Sequence, residues 1–287
     1  MSRIFITGGT GYLGAALVRQ AAAAGHAVAA SYFSQAPPSP SPAAWAPLDV
    51  REALAVEELV EHIRPDVVIH TAFVQSGPEL MAITAEGAGH VARAAALVGA
   101  RLIHMSSDVI FDGEREGAYT EDDPPAPISD YGRAKAAAEA LVAQAHPGAA
   151  IVRTSLIYGF NPIDRISRFA LDVAEGRNEA RLFSDEYRCP VYVEDLAAAL
   201  LELADLSYSG VLNIAGAERV SRYELGQLIA RAWGVDPSGL TPALSAESPV
   251  RRPRNCTLSI DRAAALLRTR LRGIREVLRA EGRLPEA

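Results

Sequence analysis

Three glycines between a short apolar stretch and a run of helix formers constrain this chain more than any other feature. In "RIFITGGTGYLGAALVRQ", Gly8, Gly11 and Gly14 recur at three-residue spacing. Residues 4–6 are apolar and β-prone, residues 15–24 favour helix, Gly25 ends that helix, and residues 27–32 return to an extended apolar pattern. The segment reads as a βαβ unit. Its glycine turn would bring backbone N–H groups to a helix N-terminus, where an anion is favoured and side chains would obstruct a pyrophosphate. A tight strand-to-helix turn needs glycines even without a ligand, but the βαβ setting favours a dinucleotide site.

The alternation continues. "RPDVVIHTA" (64–72) and "ARLIHMSS" (100–107) read as buried parallel strands, each after a helical segment (56–63 and 89–98). "AAIVRTSLIYG" (149–159) is a further strand after an alanine-rich helix. Alternating strands and helices predict an α/β fold of the Rossmann type, a doubly wound parallel sheet with a smaller C-terminal lobe. We expect residues 1–160 to form the dinucleotide-binding domain. Residues 161–287 would form mainly a substrate-binding lobe, with some segments returning to the sheet. In "SRYELGQLIARAWG", Ser221 is placed to cap a helix, with Glu224 at the capping-box position. The proline-rich stretch at 34–47 is expected to be a surface loop.

Composition narrows the function. With 287 residues, 49% of them hydrophobic, the chain can bury a large core. A formal net charge of −7 argues against a nucleic-acid partner, which needs clustered basic residues. Cys189 and Cys256 have no metal-ligand spacing, so neither a disulfide framework nor a metal site is expected. The N-terminus runs directly into a strand, without a signal-peptide pattern, and no apolar run approaches a membrane span. A cytoplasmic location with no membrane partner is the expectation.

Of the 28 residues that are Lys or Arg, only Lys135 is lysine. An arginine-favouring codon bias explains the trend, and the position that resists it needs a property arginine lacks. Tyr131 lies four residues earlier, on the same face of a helix. An ammonium near a phenol favours the phenolate and suits the tyrosine to exchange a proton with a carbonyl or alcohol. Such a pair also occurs by accident on surface helices. Ser106 and Ser107 fall at the carboxyl end of a predicted strand, where open α/β sheets bind ligands and a hydroxyl could orient a carbonyl. They could equally serve only to turn the chain. After the second strand, "SYFSQAPP" offers no carboxylate for a ribose 2′-hydroxyl, and Ser31 and Ser34 could contact a phosphate, which favours NADP(H) over NAD(H).

Together these motifs resemble the extended short-chain dehydrogenase/reductases. "SSDVIFDG", "YGRAK", "RTSLIYG", "CPVYVEDLA" and "RPRNCTLS" are similar, in order and spacing, to the dTDP-4-dehydrorhamnose reductase branch, which includes the methionine adenosyltransferase β subunits. The resemblance implies NAD(P)H-dependent reduction of a 4-keto deoxysugar nucleotide. In it Ser107, Tyr131 and Lys135 are catalytic: Tyr131 donates the proton, Lys135 binds the nicotinamide ribose and Ser107 orients the carbonyl. Gly11, Tyr12 and Leu13 would form the pyrophosphate turn, Asp49 and Val50 the adenine contact, and Ala72 and Phe73 the segment under the cofactor. Asp108 would face the substrate, and the resemblance is compatible with a homodimer.

The departures lie on the substrate side. Val109 stands where the reductases usually have Tyr, Leu156 where they have Trp, and Arg188 and Val191 where they have Gly and Thr. His70 is similar to the sugar-nucleotide epimerases, the reductases commonly having Asn. Three readings therefore stand: a reductase, an epimerase or dehydratase that retains NAD(P), and a non-catalytic nucleotide-binding regulatory subunit.

Overall fold

The computed structural model describes residues 1–285. The glycine turn joins β1 (Arg3–Thr7) to α1 (Tyr12–Ala23), and β2 (Ala27–Tyr32) completes the unit. Then follow β3 (Ala44–Pro47), α2 (Ala53–Ile63), β4 (Val67–His70), α3 (Gly87–Leu97), β5 (Arg101–Met105), α4 (Asp130–Ala145) and β6 (Ala150–Arg153). The order in the main sheet is β11-β6-β5-β4-β1-β2-β3, with β11 at Gly210–Asn213. From β3 to β6 every pairing is parallel. The strand order reverses at β1, between β2 and β4, which opens a crevice outside the carboxyl ends of the strands.

Both faces of this sheet are covered. Phe5, Val68, Leu102 and Ile151 share a core with Val56 and Val60 of α2, Ala88, Val91 and Ala92 of α3, and Ala138 and Val142 of α4. The alanines let these helices approach the strands closely. Ile4 and Ile6 point to the opposite face from Phe5 and are also buried, and α1 packs on β1 and β2.

Two sequence expectations change. Residues 34–43 carry no strand or helix, but Ala44–Pro47 pairs with β2 as the sheet's edge, Trp45 opposite Ala30. Proline is tolerated on an edge strand because one side of the ladder is free. The strand expected over 149–159 is two: β6 ends at Arg153, and Ile157–Tyr158 pairs elsewhere. Between them Thr154 and Ser155 turn to bond Asp108, through the Thr154 carbonyl at 2.8 Å and the Ser155 hydroxyl at 2.7 Å.

The chain forms two compact, interleaved units. The first is Met1–Ser107, Asp130–Arg153 and Ala197–Leu212; the second is Asp108–Ser129, Thr154–Leu196 and the residues from Asn213 on. The second contains β7 (Ile157–Tyr158) paired with β10 (Val191–Tyr192), and α5 (Arg165–Ala174). It also holds β8 (Leu182–Phe183), which pairs with β13 (Pro242–Ala243), and β9 (Tyr187–Arg188), antiparallel to β12 (Val220–Ser221). Helix α6 (Val193–Asp205) runs from the second unit into the first. Val173 of α5, Ala230 of α7 (Arg222–Ala232), Leu182 and Leu240 make a small core, and the Ser221 hydroxyl caps α7 by accepting from the Glu224 N–H at 3.0 Å. Among the described residues no helix is long and apolar enough to cross a membrane.

Candidate functional site

Two cavities open on the first unit. The larger, about 380 Å³, is walled by aliphatic groups of β2, β3 and α2 such as Val28, Ala46 and Leu59. Its arginine, Arg3, donates to the carbonyls of Ile63 and Arg64 at 2.8 and 2.9 Å, so this space offers shape without arranged chemistry. The smaller, about 280 Å³, lies at the glycine turn and is bounded by Gly8 and Gly11, by Ser31 and Ser34, by Asp49 and Val50, and by Ala72 and Phe73. Residues from the ends of β1, β2 and β4 thus meet at the point where the strand order reverses.

The glycines differ in what requires them. Gly8 has φ of +68°, in the left-handed region, and a Cβ there would lie 3.0 Å from the Ala72 backbone. At Gly14 a Cβ would lie 2.2 Å from the Gly8 carbonyl oxygen, so α1 can approach the turn only with glycine. At Gly11 a Cβ would meet only that same oxygen, at 3.1 Å, and otherwise enter open space. Gly11 therefore leaves room for a ligand above the N-terminus of α1, which has no side-chain cap. Tyr12 and Leu13 begin that helix. Leu13 and Gly14 are buried beneath the turn, outside the cavity lining.

Ser31 is only 2% exposed and forms part of the floor; its hydroxyl lies 3.4 Å from the Gly8 nitrogen, and its carbonyl accepts from Gly9 at 2.8 Å. Asp49 accepts from the Arg51 guanidinium at 2.9 and 3.0 Å, and that pairing holds its carboxyl below the usual range. Phe33, Gln35, Thr71 and Val74 also line the cavity. Sequence reading passed over them because loop residues beyond a strand end carry no periodic signal.

Helix α4 supplies the proton-transfer candidates. Tyr131 and Lys135 stand one turn apart and meet the same aromatic ring: that of Phe73 lies 5.8 Å from the Tyr131 ring and 4.7 Å from the Lys135 ammonium. Lys135 is 3% exposed and donates to the Met105 carbonyl at 2.8 Å. Burial pushes its ammonium down to about 7, against the opposing pull of Glu139. Ser107 follows Met105 by two residues and is half-buried. Its neighbour Ser106 donates to Glu139 of α4, which ties this strand end to the helix.

Beneath Lys135, His70 of β4 and His104 of β5 are register partners, with rings stacked 5.3 Å apart. The Thr7 hydroxyl is 2.6 Å from His70 Nδ1. Burial, with Lys135 nearby, pushes His70 down to about 3 and His104 well below its ordinary value, so both rings are neutral.

The second unit holds the other three sequence candidates. Asp108 is 2% exposed; it accepts from Ser155 and lies 3.6 Å from Arg188 Nε, which is also paired with Glu186. Val109 and Leu156 are half-buried. Arg188 thus balances the Asp108 charge within the fold of that unit.

The chain is 37% identical over 265 residues to dTDP-4-dehydrorhamnose reductase of Mycobacterium tuberculosis, an alignment covering 88% of this chain and 83% of that one. It is 32% identical over 285 residues to methionine adenosyltransferase 2 subunit beta of Rattus norvegicus, covering 92% and 82% respectively. The crystal structure of dTDP-4-dehydrorhamnose reductase from Bacillus anthracis in complex with NADP superimposes with a TM-score of 0.82 at 26% identity, over 97% of this chain and 96% of that one. The model of the RmlD substrate binding domain matches residues 2–281, and the chain belongs to that family.

Proposed function

We propose that this protein is a nicotinamide-dependent reductase of sugar nucleotides carrying a 4-keto group on a deoxysugar. The observation that carries the reading is the sharing of the Phe73 ring by Tyr131 and the buried Lys135, on the same unit as the cavity at the glycine turn. The names of the relatives support the same substrate class.

In this reading the first unit binds the dinucleotide, and Val109 and Leu156 contact the substrate, while Asp108, buried and held by Ser155 and Arg188, fixes the turn that carries Val109. The reduced dinucleotide, held at its pyrophosphate by the glycine turn, would supply the hydride. Tyr131 donates its phenolic proton to the ketone oxygen as that oxygen gains charge. Lys135 makes the phenol a stronger donor, since its positive charge stabilises the phenolate left behind. Ser107 holds the ketone oxygen by a hydrogen bond and so fixes its distance from Tyr131. Gly11 and the first N–H groups of α1 receive the pyrophosphate, and Asp49 and Val50 border the adenine.

The test is an incubation with NADPH and a panel of nucleotide-linked 4-keto-6-deoxysugars. Stoichiometric loss of reduced-nicotinamide absorbance with one member of the panel is expected. Product without net NADPH oxidation would replace the reading with an epimerase, and tight NADPH binding without any turnover would replace it with a regulatory subunit.

NADPH is the preferred coenzyme in this proposal. Beyond β2, Ser34 and Gln35 present a hydroxyl and an amide on a loop that carries no carboxylate, and the Arg51 guanidinium, itself paired with Asp49, lies 5.8 Å from the Phe33 ring at the same edge. One charge-assisted hydrogen bond gained predicts kcat/KM about tenfold higher with NADPH than with NADH. A ratio below one, measured with the same ketone, would reverse the assignment.

A further inference from the structure

Helix α4 carries a third functional side chain on the stripe of Tyr131 and Lys135: Glu139, one turn beyond Lys135. Glu139 is 6% exposed, yet it is an ion-pair member rather than a solvated surface acid. Arg153, at the end of β6 and 3% exposed, grips it with two nitrogens, Nη2 at 2.9 Å and Nε at 3.1 Å. Ser106 donates its hydroxyl to the same carboxylate. The Lys135 ammonium is held from the strand side by the carbonyl of Met105, the residue before Ser106. One carboxylate therefore ties together the strand end that carries Ser107 and the helix that carries Tyr131 and Lys135.

We propose that Glu139, oriented by Arg153 and Ser106, is a positioning residue that fixes the place and the charge of Lys135. This deepens the reductase reading above and rests on it for the role of Lys135. The groups facing Lys135 come from every element around it. Tyr131 and Glu139 lie on α4, Phe73 follows β4, His70 and His104 lie on β4 and β5, and Arg153 lies behind Glu139 on β6. The histidines are neutral, so Glu139 is the anion that opposes the burial of the ammonium. Arg153 has two effects of opposite sense. It holds the carboxylate in place, and its own positive charge offsets part of the field Lys135 feels.

The single lysine makes the proposal directly observable. Protein labelled with [13C]lysine gives one side-chain εCH₂ correlation, and its shift reports protonation of Lys135 without any substrate. The parent is expected to titrate with a midpoint near 7. Glu139→Gln should lower that midpoint by about one unit or more, with a smaller change in Arg153→Gln, whose two effects oppose each other. An unchanged or raised midpoint in Glu139→Gln would overturn the proposal.

Either single exchange leaves a buried partner unpaired, so the double variant Glu139→Gln/Arg153→Gln covers failure to fold. Its midpoint should also lie below the parent's, because the anion opposing the burial of Lys135 is gone; a value at or above the parent's would also overturn the proposal. With an active ketone, the alkaline limb of kcat should move with each midpoint, and Glu139→Asp should restore it in part. If the parent reduces no ketone, the reductase reading fails, while the titration still decides the role of Glu139.

Discussion

Exchange of Lys135 for arginine is expected to leave the chain folded and to reduce kcat for ketone reduction about a thousandfold, the scale of a lost general-acid contribution. Charge is retained in this exchange, so the expected loss comes from shape and from titration. The ammonium occupies a site that is 3% exposed, with one carbonyl at 2.8 Å and one ring face at 4.7 Å. A guanidinium presents a wider planar set of donors that this site does not match, and the added volume costs about 1–3 kcal/mol of packing.

The pH dependence has a definite sign. Burial lowers the Lys135 value to about 7, so the group is cationic below that pH and neutral above it. Reduction should therefore slow as pH rises through about 7, because Tyr131 loses the charge that strengthens it as a donor. Arginine keeps its charge there, and the variant should lack that limb. Steady-state NADPH oxidation across pH, with circular dichroism on both proteins, checks both statements. A variant within tenfold of the parent would remove the reason given for lysine at this position.

Gly11→Ala and Gly14→Ala should fail in different ways, and the contrast separates a ligand glycine from a packing glycine. A Cβ at position 14 would lie 2.2 Å from the Gly8 oxygen and 2.8 Å from the Gly9 Cα, both backbone atoms, so α1 must move off the turn. Overpacking of this kind costs about 1–3 kcal/mol and should lower Tm by several degrees. A Cβ at position 11 needs only a few tenths of an ångström from one oxygen, at 3.1 Å, and then points into open space. Gly11→Ala should melt like the parent but bind NADPH about a hundredfold more weakly, having lost close approach to the pyrophosphate. Thermal melts and NADPH titration by fluorescence distinguish the two. Equal loss of Tm in both variants would mean that Gly11 serves packing.

Local signals carried much of this fold into the sequence. The extended stretch at 27–32 coincides with β2 because Gly25 stops α1 and an apolar run follows. The shared face of Tyr131 and Lys135 follows from helical spacing alone. What stayed hidden depends on partners distant in sequence. Ala44–Pro47 is a strand because β2 offers it a free edge, a fact absent from its own proline-rich neighbourhood. Glu139 stands four residues after Lys135, visible to the eye, but its meaning comes from Arg153 on β6 and Ser106 beyond β5. The stacking of His70 on His104 follows from strand register, and the pairing of Asp108 with Arg188 joins segments that no periodicity connects.

The central claim is that hydride passes from a nicotinamide to the ketone carbon of a nucleotide-linked sugar while Tyr131 delivers the proton. NADPH deuterated at both C4 positions, incubated with the ketone that the protein accepts, tests this most directly by mass spectrometry and NMR of the product. The account predicts one deuterium at the new carbinol carbon, formed mole for mole with NADP+, and almost none of that product from Tyr131→Phe. A product formed without deuterium, or one formed equally well by Tyr131→Phe, would contradict it.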